Sequence, residues 1–265
     1  MTITLNGTTG EIPATWTTAT RPASPTTGQY GYNTTTSALD VYNGSAWVSV
    51  TSNNQSTTGP TQQTFTSGSG TYTKPAGVLW IKVRMVGAGG GGGGGGTTAG
   101  AGGAGGNTTF GSSFLTCNGG AGGGASGPGS QVLGGTATGG DINIQGGSTD
   151  PILSIGTVGN NTSGRGAASA FGGGGAAGYG YSGGSTAGTA GLAYGSGGGG
   201  GGGAASGSGG GGAGGGYLEK IISSPSATYT YAVGSAGTAG TTGTSGSAGG
   251  AGGSGIIIVE EHYNY

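Results

Sequence analysis

Apolar and polar side chains alternate most clearly in residues 79–85, where Leu79, Ile81, Val83 and Met85 fall on one side and Trp80, Lys82 and Arg84 on the other. This period of two predicts a β-strand with one buried face. Residues 255–263 repeat it, Ile257 and Val259 alternating with Ile256, Ile258 and Glu260. The two runs bracket nearly all of the chain's glycine, so their pairing would close a domain. Lys82 and Arg84 matched with Glu260 and Glu261 would favour that pairing by tenths of a kcal/mol to about 1 per pair. Residues 217–234 predict two strands joined by Ser223-Ser224-Pro225-Ser226, and Phe65 marks a strand followed by a turn over 67–70. Phe110 and Phe114 flank Gly111-Ser112-Ser113 as in a hairpin, and Asp141–Ile144 reads as a short strand fenced by glycines.

The first 50 residues have a different texture, Thr-rich and poor in glycine, with Tyr30, Tyr32, Leu39, Val41, Trp47 and Val48 on short strand-like runs. Turn signals at 33–37 and 42–47 divide them, and Asn43-Gly44 suits a two-residue hairpin loop. A small three-stranded antiparallel unit is expected, too small for a self-sufficient core and so suited to oligomerising or docking. Polar residues 51–63 read as a linker, and residues 64–265 as a second domain.

What fills the second domain is glycine: 77 of 265 residues, including the unbroken run Gly89–Gly96, with only 5% of the chain charged and a net charge of −1. Helix is disfavoured by about 1 kcal/mol per glycine, and a sheet of glycine has no side chains to pack. Polyproline II remains, three residues per turn, and without Cβ atoms such helices approach closely enough to hydrogen-bond to one another. Non-glycine positions 88, 97, 98, 99, 101 and 104 share no common phase, which excludes a collagen triple helix. The expected fold is therefore mainly β plus polyglycine II: a small N-terminal antiparallel β module, then a Gly-rich sandwich of polyproline-II-type helices clasped by β-strands.

Several kinds of chemistry are set aside by composition. Cys117 and His262 are each the sole residue of their type, which leaves no disulfide and no zinc cluster. Six scattered basic residues form no patch for nucleic acid. No stretch of about 18 apolar residues suggests membrane insertion, and the N-terminal residues lack a secretory layout, so synthesis in a cytoplasm is expected. The glycine run lacks the lysine and following helix of a phosphate loop, and Ser126 in "GASGPG" has no triad partners in view. No catalytic residue, cofactor or metal is expected.

Phe171, Tyr179, Tyr181 and Tyr194 stand isolated among Gly, Ala and Ser, and Arg165 is the only charge between Asp150 and Glu219. Packing inside the domain and solvation of the arginine are the plain readings. The functional reading is a binding surface in residues 148–194, since Tyr among Gly and Ser offers large amphipathic contact area at small entropic loss.

"TFTSGSGTYTKPAGVLWIKVRMVGAGGGGGGG", "GGNTTFGSSFLTCNGG", "GGYLEKIISSPSATYTYAVG" and the terminal "GGAGGSGIIIVEEHYNY" together resemble the glycine-rich C-terminal domains of tail-fibre and adhesin proteins of tailed bacteriophages. The resemblance covers about residues 60–265, and the N-terminal "RPASPTTGQYGYNTTTSALDVYNGSAWVSV" is similar to a small β module of phage fibre and other virion proteins. It implies a polyglycine sandwich whose loops contact a bacterial surface receptor, a virion location, a homotrimer, and attachment to other tail or fibre proteins through residues 1–50. A passive head decoration or structural fibre component is the nearest rival. An ice-binding protein, with Thr or Ala on one face of such helices, is a rival of another class, and a cell-wall or silk-like protein the last.

Overall fold

The computed structural model describes residues 13–50, 59–127, 131–150, 160–204 and 207–263. The chain is mainly β, with several antiparallel sheets, and divides into two compact units, Met1–Thr57 and Thr58–Tyr265.

The first unit is a sheet of β1 (Thr15–Trp16), β2 (Tyr30–Asn33), β3 (Ala38–Tyr42) and β4 (Trp47–Val50), in that order. The three expected strands are antiparallel, and β1 adds a fourth, parallel to β2. The loop at Asn43 spans four residues rather than two. Only Gly44 has positive φ (102°), while the Asn43 Oδ1 accepts from the backbone N–H groups of Ser45 and Ala46 and so builds the turn from a side chain.

Tyrosine and valine of the strand-like runs lie largely on the outer face. Tyr30, Tyr32, Val48 and Val50 are exposed, whereas Trp16, Asn33, Ala38 and Asp40 are buried. Trp16 lies across Gly31, where any Cβ would run into its ring. The Asp40 carboxylate accepts from Asn33 Nδ2 at 2.8 Å, Ser49 Oγ at 2.6 Å, Arg21 Nε at 2.9 Å and Trp16 Nε1 at 3.4 Å. Burial alone would raise its pKa, but these hydrogen bonds outweigh it and hold the group at about 2, below its ordinary 3.8. A depressed carboxylate stabilises the fold above its unfolded pKa and loses that contribution as pH falls through the folded value. Acid is therefore expected to loosen this unit between about pH 4 and 2, read as a change in tryptophan fluorescence from the Trp16–Trp47 pair, 5.0 Å apart. Asp40→Asn should flatten that transition and lower the unit's thermal midpoint at neutral pH; an unchanged acid transition would contradict the assignment.

In the second unit two five-stranded sheets face each other. One carries β5 (Thr61–Phe65), β7 (Trp80–Val86), β11 (Ile142–Ile144), β15 (Tyr217–Ile222) and β17 (Ile256–His262) in the order β11-β15-β7-β17-β5. The other carries β6 (Ser69–Thr73), β8 (Thr108–Phe110), β9 (Leu115–Cys117), β10 (Ala137–Thr138) and β16 (Thr228–Ala232) in the order β10-β9-β8-β16-β6. Between them lie Tyr72, Ile81, Val83, Met85, Phe110, Leu115, Cys117, Leu218, Ile257 and Val259, all buried. The pairs β5/β6 and β15/β16, consecutive in sequence, each cross from one sheet to the other and so tie the two together.

β7 and β17 pair as expected, in antiparallel register, but only one of the expected charge matches is kept. Lys82 bonds Glu219 of β15 at 2.6 Å, and Arg84 lies 4.0 Å from Glu260. Glu261 points to the interior, where its carboxylate accepts from Thr61 Oγ1 and Gln63 Nε2. Thr61–Gln63, assigned above to the linker, thus belong to β5. An edge strand of polar residues has no alternation of apolar side chains to announce it.

The glycine-rich stretches bond to one another with a period of three. In residues 88–96 the N–H groups of Ala88, Gly91 and Gly94 donate to Gly106, Gly103 and Gly100; those of Gly89, Gly92 and Gly95 to Gly253, Gly250 and Ser247; those of Gly90, Gly93 and Gly96 to Ala213, Gly210 and Gly207. Their carbonyls accept, again in threes, from 120–123, 198–201 and 237–243. This segment therefore has six neighbours, and residues 195–203 and 207–216 are surrounded in the same way. These three segments bond to one another and are almost wholly buried. Around them segments 99–106, 118–125, 132–136, 146–149, 163–168, 172–178, 186–191, 247–255 and 234–243 bond each to the next, the last back to the first.

That arrangement accounts for the run of eight glycines. A Cβ on Gly89, Gly90, Gly91, Gly92, Gly93, Gly94 or Gly95 would overlap a backbone carbonyl oxygen of a neighbouring segment. In the outer segments only one side is so constrained. Residues 234–255 have glycine at every third position, seven of these eight buried, while the residues between them in 235–245 are mostly exposed Ser, Ala and Thr.

Candidate functional site

The array is polar in construction. Val86, Thr108, Cys117, Ile144, Tyr217, Ala232 and Ile256 are all strand termini from which, or near which, array segments start or end, so the two large sheets sit at one end. The other end consists of connections such as 97–98, 179–185 and 244–246. There the small sheet β12 (Asn160–Thr162), β13 (Tyr179–Tyr181) and β14 (Gly184–Ser185) forms.

Strand alternation in β13 decides where its tyrosines point. Gly180 is buried against Gly203, leaving Tyr179 and Tyr181 on the outer face, 54% and 42% exposed. Their ring centroids lie 5.9 Å apart with planes tilted by 39°. The Tyr181 ring rests on Gly184, where a side chain would displace it. The backbone of Tyr179 is fixed by Thr186, whose Oγ1 accepts from the Tyr179 N–H at 2.9 Å and whose own N–H donates to the Tyr179 carbonyl at 2.8 Å. Thr162 lies opposite Tyr179 across β12 and is exposed. Two amphipathic rings are thus held on a rigid base.

The other predicted residues do not join them. Phe171 and Tyr194 sit at the sheet end: Phe171 packs edge-on against Tyr217, centroids 5.8 Å apart, and the Ser169 hydroxyl donates to the Tyr194 carbonyl at 2.6 Å. Eight residue steps of extended chain, on the order of 25 Å, separate Phe171 from Tyr179. Arg165 is exposed on segment 163–168, between the two ends. Sequence proximity had grouped residues that the back-and-forth path of the chain places at opposite ends.

A second cluster was not anticipated as a site. On the outer face of the β7 sheet, Trp80 and His262 stack at 3.5 Å with planes 3° apart, beside the Lys82–Glu219 and Arg84–Glu260 pairs. The Glu219 carboxylate is held below its ordinary pKa by Lys82 and by the Tyr217 hydroxyl, which donates at 2.6 Å. Cross-strand register alone would have revealed it. Its lysine, arginine and glutamates are paired with one another. Among the described residues no His, Cys, Asp and Glu grouping could hold a metal ion, and no helix is long and apolar enough to cross a membrane. Comparison with protein-family models, with curated proteins and with solved structures gave no match.

Proposed function

We propose that this chain is a bacteriophage virion structural protein, a tail-fibre or tail-tip adhesin that binds a receptor on the host bacterial surface without catalysis or cofactor. In this reading the array is a polyglycine sandwich of polyproline-II-type helices. The three-residue bonding period and the six-fold surroundings of the inner segments support it. Residues 1–50 would join other virion proteins, in a homotrimer, and avidity over repeated copies would firm up weak single contacts.

The observation that carries the proposal is the placement of Tyr179 and Tyr181. They are exposed on a hydrogen-bonded base, at the end of the domain away from the sheets where β5 brings the chain in. Replacing both with Ala should reduce binding of the protein to host cells by roughly tenfold or more while leaving its thermal midpoint within a degree or two, since exposed aromatic anchors act on binding rather than on the core. Undiminished binding by a folded double variant would remove the site from this end.

The exposed row Ser235, Thr238, Thr241 and Thr244, repeating every three residues, favours an ice-binding surface as the second reading. Measurable thermal hysteresis would support it and its absence would retire it.

A further inference from the structure

Resting on the adhesin reading and narrowing it, we propose that the Tyr179–Tyr181 surface takes an uncharged glycan. Three observations converge. The two rings lie side by side, exposed and fixed from beneath by Gly180 and Gly184, which makes a platform rather than a pocket. A platform of this kind suits the C–H face of a sugar ring, while the phenol hydroxyls and the neighbouring Thr162 supply hydrogen bonds to sugar hydroxyls.

The third observation is charge. Among the described residues, 97–99, 160–162, 179–186, 203–204 and 243–247, which lie at this end, contain no Asp, Glu, Lys or Arg. Asp150 lies outside them. The second unit's remaining charges lie elsewhere: Lys82, Arg84, Glu219, Glu260 and Glu261 on the β7 sheet, with Lys220 bonded to Asp141 at 2.6 Å beside it, Lys74 bonded to the Val78 carbonyl, and Arg165 midway along the array. An acidic glycan or a phosphate would find no counter-charge on the tyrosine face, whereas a neutral oligosaccharide needs none.

The test uses the full chain and an immobilised panel of neutral hexose and N-acetylhexosamine oligosaccharides beside sialylated, uronate and phosphorylated ones. Binding is expected on neutral members, changing less than about twofold between roughly 0.05 and 0.5 M salt because no charge is screened. It should fall roughly tenfold in Tyr179→Ala or Tyr181→Ala and largely persist in Tyr179→Phe, which keeps the ring. Binding confined to acidic members, steep salt dependence, or no binding to any neutral member would overturn the inference. Host cells separate the two levels of the argument. Binding abolished by periodate oxidation of surface sugars supports a glycan, and binding abolished only by protease overturns it while leaving the adhesin reading intact. Absence of binding to cells, with neutral glycans still bound, would instead overturn the adhesin reading.

Discussion

Gly93→Ala is expected to destabilise the second unit by on the order of 3 kcal/mol or more, the sum of overpacking and displaced backbone hydrogen bonds. The added methyl would overlap the carbonyl oxygen of Gly124, and the residue also donates to Gly210 and accepts from Gly201. No flexible side chain is available to yield; each obstacle is backbone that is itself bonded to a further segment. Gly124 provides the matched control because it lies on the other side of the same contact, yet a Cβ on it meets nothing within 4 Å. Gly124→Ala should be neutral or stabilise by about 0.4–1 kcal/mol through the unfolded chain. Thermal unfolding of the two variants checks the contrast, and equal midpoints would show that the inner segments tolerate side chains.

The second large effect concerns the C-terminal residues. A chain ending at Gly246 is expected to give no soluble folded second unit. Residues 247–255 accept from Gly89, Gly92 and Gly95 and donate to Gly199 and Ser196, so their removal strips bonds from two of the three inner segments. Each buried polar group left unpaired costs about 1–3 kcal/mol, which over five such bonds reaches the 5–15 kcal/mol of a typical whole domain. Ile256–His262 lies between β7 and β5, so the same cut also exposes the face formed by Ile81, Val83 and Met85. Soluble yield and resistance to limited proteolysis are the readouts. A truncated chain as soluble and as resistant as the full one would contradict the closed ring.

The strands were legible wherever one face is apolar: β7, β15 and β17 show their alternation, and Ile81, Val83, Met85, Ile257 and Val259 face the core as read. β5 was missed in part because its partners for Glu261 are polar, Thr61 and Gln63. The N-terminal sheet was not legible in its interior. Its interior is organised by one carboxylate, Asp40, and by Trp16 lying on Gly31, whereas the alternating Tyr and Val residues that catch the eye form its exposed side. The period of three was hidden by segment breaks. Thr98, Ala101, Ala104 and Asn107 share one phase and are exposed, but Ala88 belongs to an inner segment with a phase of its own. The candidate site was half legible: tyrosines among glycines were visible in the sequence, while their division between two ends depends on the direction of each segment, which composition does not encode.

Amide hydrogen exchange resolved residue by residue tests the array most directly. The account predicts that the N–H groups of Gly89–Gly96 are all strongly protected. In 235–243 it predicts a one-in-three pattern, with Gly237, Gly240 and Gly243, which donate to Gly89, Gly92 and Gly95, protected and the residues between them exchanging freely. Exchange of Gly89–Gly96 at the rate of an unfolded chain, or uniform protection through 235–243, would contradict it.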